Sequence, residues 1–208
     1  MSDLIFYTNP MSRGQIIRWM LEEVGEPYEQ RLLDYGTTMK AADYLAINPM
    51  GKVPAIVHKG SVITEGAAIC AYLADAFPAQ KLAPPPAERA DYYRWLFFAA
   101  GPVEQAVTNH AMQWNPTQKQ QMTVGYGSYD DVMNALEKAV AGKNFVAADY
   151  FTAADVYLGS QIDWGLQFGT ITERAAFLDY VAPLRERPAY KRAKEIDGAL
   201  IAEMKKDD

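Results

Sequence analysis

Ser12 is the first residue whose position invites chemistry. It sits in Asn9-Pro10-Met11-Ser12-Arg13-Gly14, between an apolar run over residues 4–7 and a helical pattern that begins at Gln15. Two roles compete for its hydroxyl. With Gln15 three residues on, Ser12 satisfies the S-x-x-Q capping box, which closes a helix start. The same hydroxyl stands beside unpaired N–H groups at the positive end of the helix dipole, a place suited to an anion such as a thiolate. Asn48-Pro49-Met50-Gly51-Lys52-Val53-Pro54 is a second stretch of interest. Pro54 stands at a strand start or edge, because it cannot donate to a ladder. A cis bond before it would turn the Val53 N–H and C=O outward, free to pair with a peptide-like ligand. In Thr64-Glu65-Gly66-Ala67-Ala68-Ile69, a third stretch, Thr64 reads as a helix N-cap. The alternative is an anion site, with the helix end taking a carboxylate and Glu65 an ammonium.

Other chemistries are poorly supplied. Cys70 is the single cysteine, and His58 and His110 are the two histidines. They make no zinc-type ligand set, so no metal is expected. A Ser-His-Asp or Cys-His nucleophile would need one of these histidines, and neither lies near a G-x-S-x-G elbow. Gly125-Tyr126-Gly127-Ser128-Tyr129 runs on to Asp130, so the dinucleotide fingerprint is incomplete. Gly142-Lys143 lacks both the following hydroxyl and the preceding glycine of a P-loop.

The chain has 208 residues, with 20 basic and 26 acidic, a net charge of −6. The basic residues are scattered, so nucleic acid and anionic membrane are not expected as partners. No apolar run nears the roughly 20 residues of a membrane span. Asp3 in the first apolar segment, with no basic stretch before it, argues against a signal peptide. One cysteine admits no internal disulfide and fits a reducing, cytoplasmic compartment.

These residues need elements to position them. Periodicity predicts a buried strand over 4–8 and a helix over 13–24 that stops at Gly25. A second strand is expected over 28–33 and a short helix over 39–47. A hairpin is expected from 53–58 and 62–63 around Lys59-Gly60-Ser61, and a helix over 67–77. The order βαβ, helix, ββα makes this half α/β. Four prolines between 78 and 86 mark a linker. Beyond it the pattern is helical: 87–114 with a bend near Gly101-Pro102, then 117–141, 152–168, 173–181 and 184–205. The expected domains are 1–78, a linker at 79–86, and 87–208.

Taken together, Pro10-Met11-Ser12-Arg13, Asn48–Pro54, Glu65-Gly66-Ala67-Ala68-Ile69 and Phe151-Thr152-Ala153-Ala154-Asp155-Val156 resemble the motifs of the cytosolic glutathione transferases. The resemblance covers nearly the whole chain. It implies a thioredoxin-like N-terminal domain and an all-α C-terminal bundle. It implies glutathione as co-substrate, no tightly bound cofactor, and a homodimer in the cytoplasm with a detoxifying role. Thr152 and Asp155 match a capping box that serves folding. Ser12 matches the serine that donates to the glutathione sulfur in serine-type members, with Tyr7 as the alternative from tyrosine-type members. Val53 matches the residue that pairs with the cysteinyl unit, and Pro54 the cis-proline. Glu65 matches the acid near the γ-glutamyl group. Lys40 and Lys52 match positions near the glycyl carboxylate. Gly66 replaces the usual Ser or Thr and leaves only its backbone N–H. Met11, Trp114 and Trp164 are candidate apolar walls for the second substrate, and each could equally be core.

The implied reaction is attack of the glutathione thiolate on an electrophilic, apolar small molecule. A free thiol titrates near 8.5, and lowering that by about two units takes roughly 2.7 kcal/mol of preferential thiolate stabilisation. One hydrogen bond to a charged acceptor supplies about 1.5–3 kcal/mol. Two other readings stay open at this level. One is a glutathione-dependent disulfide reductase, peroxidase or isomerase, although position 12 holds serine where a thioredoxin-like redox enzyme needs cysteine. The other is a non-catalytic binding protein of the same fold, for which Gly66 is the feature.

Overall fold

The computed structural model describes residues 3–206, which divide into two compact units. The first holds the chain up to Gln80 together with residues from Arg187 on, and the second Lys81–Glu186. The first unit opens with β1 (Leu4–Thr8), α1 (Gly14–Val24), β2 (Glu29–Leu32), a 3-10 turn at Thr38–Lys40 and α2 (Ala42–Leu45). β3 (Ala55–His58), β4 (Ser61–Thr64) and α3 (Gly66–Ala76) follow. The sheet order is β2-β1-β3-β4, with β1 parallel to β2 and the other neighbours antiparallel. A parallel pair needs a crossover connection, and α1 provides it. Leu4, Phe6 and Thr8 are buried on one face of β1. Ile16, Ile17, Met20, Leu21 and Val24 form the buried stripe of α1. Gly25 ends that helix at φ 73°, where its N–H reaches the Leu21 carbonyl at 2.9 Å. That left-handed stop costs glycine little, as the sequence predicts.

The second unit is helical. It comprises α4 (Ala90–Phe98), α5 (Glu104–Ala111), α6 (Gln118–Gln121), α7 (Tyr129–Val140), α8 (Ala153–Phe168) and α9 (Ala175–Arg185). Between α4 and α5 lies a π-helical turn, Ala99–Val103, where Pro102 lacks the N–H an α-helix would use. The single helix expected over 117–141 is instead two. Gly127 takes φ 70°, and Ser128 starts α7 by accepting the Asp131 N–H at 3.1 Å. α8 starts on the expected capping box. The Thr152 N–H and hydroxyl donate to Asp155 Oδ2 at 2.8 and 3.0 Å. The Val146 N–H and the Tyr180 hydroxyl donate to Oδ1 at 2.7 Å each. Burial pushes the Asp155 carboxyl up, and these four bonds pull the other way.

The last helix, α10 (Pro188–Met204), belongs to the first unit. Reading it with the helical half, as 87–208 does, misses a long-range pairing. Arg18 of α1 is buried, with Nε 3.2 Å from Asp197 Oδ1 and a second bond to the Tyr28 hydroxyl at 2.8 Å. Glu23 takes Arg187 in a two-pronged pair at 2.6 and 2.7 Å. A buried guanidinium needs such partners, and here the partners come from opposite ends of the chain. No helix of the described residues is long and apolar enough to cross a membrane.

Candidate active site

Strand register gathers most of the candidate residues at one end of the sheet. Tyr7 pairs with Ala55, and Ala55 pairs with Thr64. The end of β1, the Val53-Pro54 step before β3 and the Thr64-Glu65 step after β4 therefore share one edge. α1 and α3 both begin there. The Val53–Pro54 bond is cis.

The Ser12 loop is closed by its own polar groups. Asn9 is buried, and its Nδ2 donates to the Leu33 carbonyl at 2.9 Å while Oδ1 accepts the Met11 N–H at 2.9 Å. The Ser12 hydroxyl donates to the Asn9 carbonyl at 2.6 Å and accepts the Gly14 N–H at 2.9 Å. The capping box expected from Ser12 and Gln15 does not form. Gln15 instead donates Nε2 to the Pro10 carbonyl at 2.6 Å. Gly14 has no room for a side chain: a Cβ there would lie 2.0 Å from Thr8 Oγ1 and 3.0 Å from Ser12 Oγ. Glycine thus lets the helix start press against the end of β1.

Tyr7 lies on the opposite face of β1 from Thr8 by strand alternation. Its ring packs 5.5 Å from that of Tyr44 in α2. The Tyr44 hydroxyl donates to the Lys52 carbonyl at 2.6 Å, and Asn48 Nδ2 donates to the same oxygen at 2.8 Å. Burial pushes the Tyr44 hydroxyl up to about 12, and the nearby Tyr7 adds to the rise. Lys40 donates Nζ to the Met50 and Gly51 carbonyls at 3.0 and 2.9 Å, so it braces the loop before Val53. Lys52 is exposed. Gly51 sits at φ 55°, and a Cβ there would meet the Met39 carbonyl at 2.7 Å.

Glu65, not Thr64, is the N-cap of α3, with no side-chain cap bond. Its backbone stands at φ 65°, ψ 116°. That conformation costs a non-glycine residue about 1–3 kcal/mol and persists where flanking structure imposes it. Here β4 pairing precedes it, and the Ile69 N–H bonds to its carbonyl at 2.9 Å behind it. The Glu65 side chain is exposed, and Gly66 beside it is half-buried.

Of the apolar candidates, Met11 is exposed in the first unit. Trp114 is exposed after α5, and Trp164 is half-buried in α8 with its ring edge-on to Phe168 at 6.1 Å. Cys70 is fully buried in α3, and burial pushes its thiol well up, which makes it inert rather than nucleophilic.

The glutathione S-transferase N-terminal domain profile matches residues 11–76. Glutathione S-transferase GstA of Escherichia coli O157:H7 is 29% identical over 173 residues, covering 77% of this chain and 78% of that protein. A glutathione transferase structure from Methylococcus capsulatus superposes with a TM-score of 0.76 at 28% identity, over 94% of this chain and 99% of the other. By these matches the chain is similar to the cytosolic glutathione transferases. A sphingomonad glutathione S-transferase solved with glutathione superposes with a TM-score of 0.75 at 26% identity, over 93% and 98%.

Four residues beside the candidate site are given no role by their sequence pattern: Asn9, Gly14, Tyr44 and Asn48. Two of them carry a visible signal. Asn-Pro-Met occurs twice, at 9–11 and 48–50. Both copies close the same turn, with the Met50 N–H on Asn48 Oδ1 at 3.1 Å matching the Met11 bond. An asparagine side chain that binds the backbone two residues on is known turn chemistry.

Proposed function

We propose that this chain conjugates the thiolate of glutathione to an electrophilic, apolar small molecule. The observation that carries the reading is the Ser12 hydroxyl at the start of α1, held on the Asn9 carbonyl and receiving the Gly14 N–H. A hydroxyl that accepts one bond is polarised toward donating another. Binding of a thiolate lets it exchange a neutral acceptor, worth about 1 kcal/mol net, for a charged one worth about 1.5–3 kcal/mol. The gain is a difference, about 0.5–2 kcal/mol, or roughly 0.4–1.5 units in the thiol's pKa. The helix end adds a fraction of that. The thiolate then forms a carbon–sulfur bond as a leaving group such as halide departs with its electron pair, and no general base is needed.

The peptide moiety has its own supports in this proposal. Val53 offers its backbone N–H and C=O to the cysteinyl unit, beside the cis Pro54. The exposed carboxylate of Glu65 meets the γ-glutamyl ammonium, and the uncapped start of α3 at Gly66 meets its carboxylate. Lys52 approaches the glycyl carboxylate, and Lys40 acts first as the brace of that loop. Met11, Trp114 and Trp164 are proposed as apolar contacts for the electrophile. The assembly is proposed to be a homodimer in the cytoplasm.

The test is direct. The protein is expected to bind immobilised glutathione and to turn over an activated aryl halide faster than a glutathione-reducible disulfide. A clear preference for the disulfide would move the assignment to redox chemistry. A folded protein that ignores glutathione would be a binding scaffold instead.

A further inference from the structure

The last helix reaches the Ser12 loop through two side chains. Lys194 of α10 donates Nζ to Gln15 Oε1 at 3.0 Å, and Gln15 Nε2 donates to the Pro10 carbonyl at 2.6 Å. We infer that Lys194 and Gln15 are positioning residues that hold the loop bearing Ser12. The inference rests on the proposed role of Ser12. Its logic is the polarity of an amide. One end of the Gln15 amide only accepts and the other only donates. A Lys ammonium only donates, so it takes Oε1 and leaves Nε2 turned to the Pro10 carbonyl. The residue 179 positions away in sequence thereby sets which way the amide faces.

The consequence runs along the loop. Pro10 lies between Asn9, whose carbonyl takes the Ser12 hydroxyl and N–H, and Met11, whose N–H is held by Asn9 Oδ1. Fixing the Pro10 carbonyl fixes the peptide planes on which Ser12 is mounted. Both Gln15 and Lys194 are half-buried, and α10 is also docked on α1 by Arg18–Asp197, with Arg187, the residue before α10, paired to Glu23. The relay is therefore presented by a helix already held in place. Small displacements of a catalytic group carry large rate penalties.

Three variants of the full chain test this, each first checked by circular dichroism. Gln15→Glu keeps the acceptor for Lys194 but sets a carboxylate oxygen against the Pro10 carbonyl. Lys194→Met removes the ammonium from a surface helix and is expected to fold normally even if Gln15→Glu does not. Lys194→Arg keeps a donor. Amide hydrogen exchange over residues 11–15 reads the loop without any ligand. It is expected to rise about tenfold in Gln15→Glu, several-fold in Lys194→Met, and to return close to the wild-type rate in Lys194→Arg. With an aryl halide and glutathione, kcat should fall five- to tenfold in Gln15→Glu, and glutathione affinity should change less than about twofold. Unchanged exchange in Lys194→Met, or exchange no slower in Lys194→Arg than in Lys194→Met, would overturn the relay. If the unaltered chain bound no glutathione, the functional reading would fall, while the exchange rates would still decide whether the relay exists.

Discussion

At the scale of single residues, the candidate site is organised by side chains that touch backbone. Asn9, Asn48, Tyr44 and Lys40 each bind carbonyls or N–H groups of the two loops that flank the Ser12 and Val53 positions. Tyr44 makes this testable through pH. Its folded hydroxyl stands at about 12, above the ordinary value near 10. The stability it contributes is therefore fully present below pH 10 and lost as pH rises from 10 through 12. Tyr44→Phe should be less stable than wild type at pH 8, and the gap should narrow above pH 10, read as urea midpoints at each pH. A gap that widens with pH would contradict the assignment. The stretches around Ser12, Val53 and Glu65 stand out in the sequence because they match family motifs. The bonds that Asn9 and Tyr44 make to distant carbonyls do not, because nothing in local pattern says where a side chain will find a carbonyl 24 or 8 residues away. The repeated Asn-Pro-Met marks the two turns locally.

Elements divide along the same line. α1 and its stop at Gly25, the β3–β4 hairpin and α8 with its capping box follow from periodicity and caps. The break between α6 and α7 does not follow from periodicity, although Gly127 at φ 70° and the Ser128 cap mark it. Tertiary contact decides there: Tyr126 in that break is buried, and its hydroxyl accepts from Asn109 at 3.0 Å. The S-x-x-Q pattern at Ser12 failed as a capping box for a related reason, since Gln15 finds Pro10 and Lys194 instead. The Thr152–Asp155 box forms as expected, and Val146 and Tyr180 add two further bonds to the same carboxylate. Asp155→Ala leaves the N–H groups of Val146 and Thr152 and the Tyr180 hydroxyl without their acceptor. A loss of about 3 kcal/mol or more is expected in chemical denaturation. A loss under about 1 kcal/mol would show that the box contributes little to the bundle.

For the molecule as a whole, sequence order and spatial grouping part company at the end of the chain. The proline-rich linker sits where the two units divide, yet α10 returns to the first unit because Asp197 and Arg187 answer Arg18 and Glu23. A hydrophobic pattern cannot announce a pairing of charges so far apart in sequence. Assembly is the other question at this scale. Tyr93 and Phe97 lie one turn apart on α4, exposed, with rings 6.4 Å apart. Such a pair supports the proposed homodimer, and Phe97→Glu should shift the sedimentation coefficient toward a monomer without loss of helicity. An unchanged coefficient would remove α4 from the interface. One proton decides whether Ser12 serves the thiol. Ultraviolet absorbance of glutathione bound to the wild-type chain, titrated with pH, should give a thiol pKa below the free value of about 8.5. In Ser12→Ala it should rise by about a unit with glutathione affinity largely kept. An identical pKa in the two proteins would contradict the account and return Ser12 to the loop it closes.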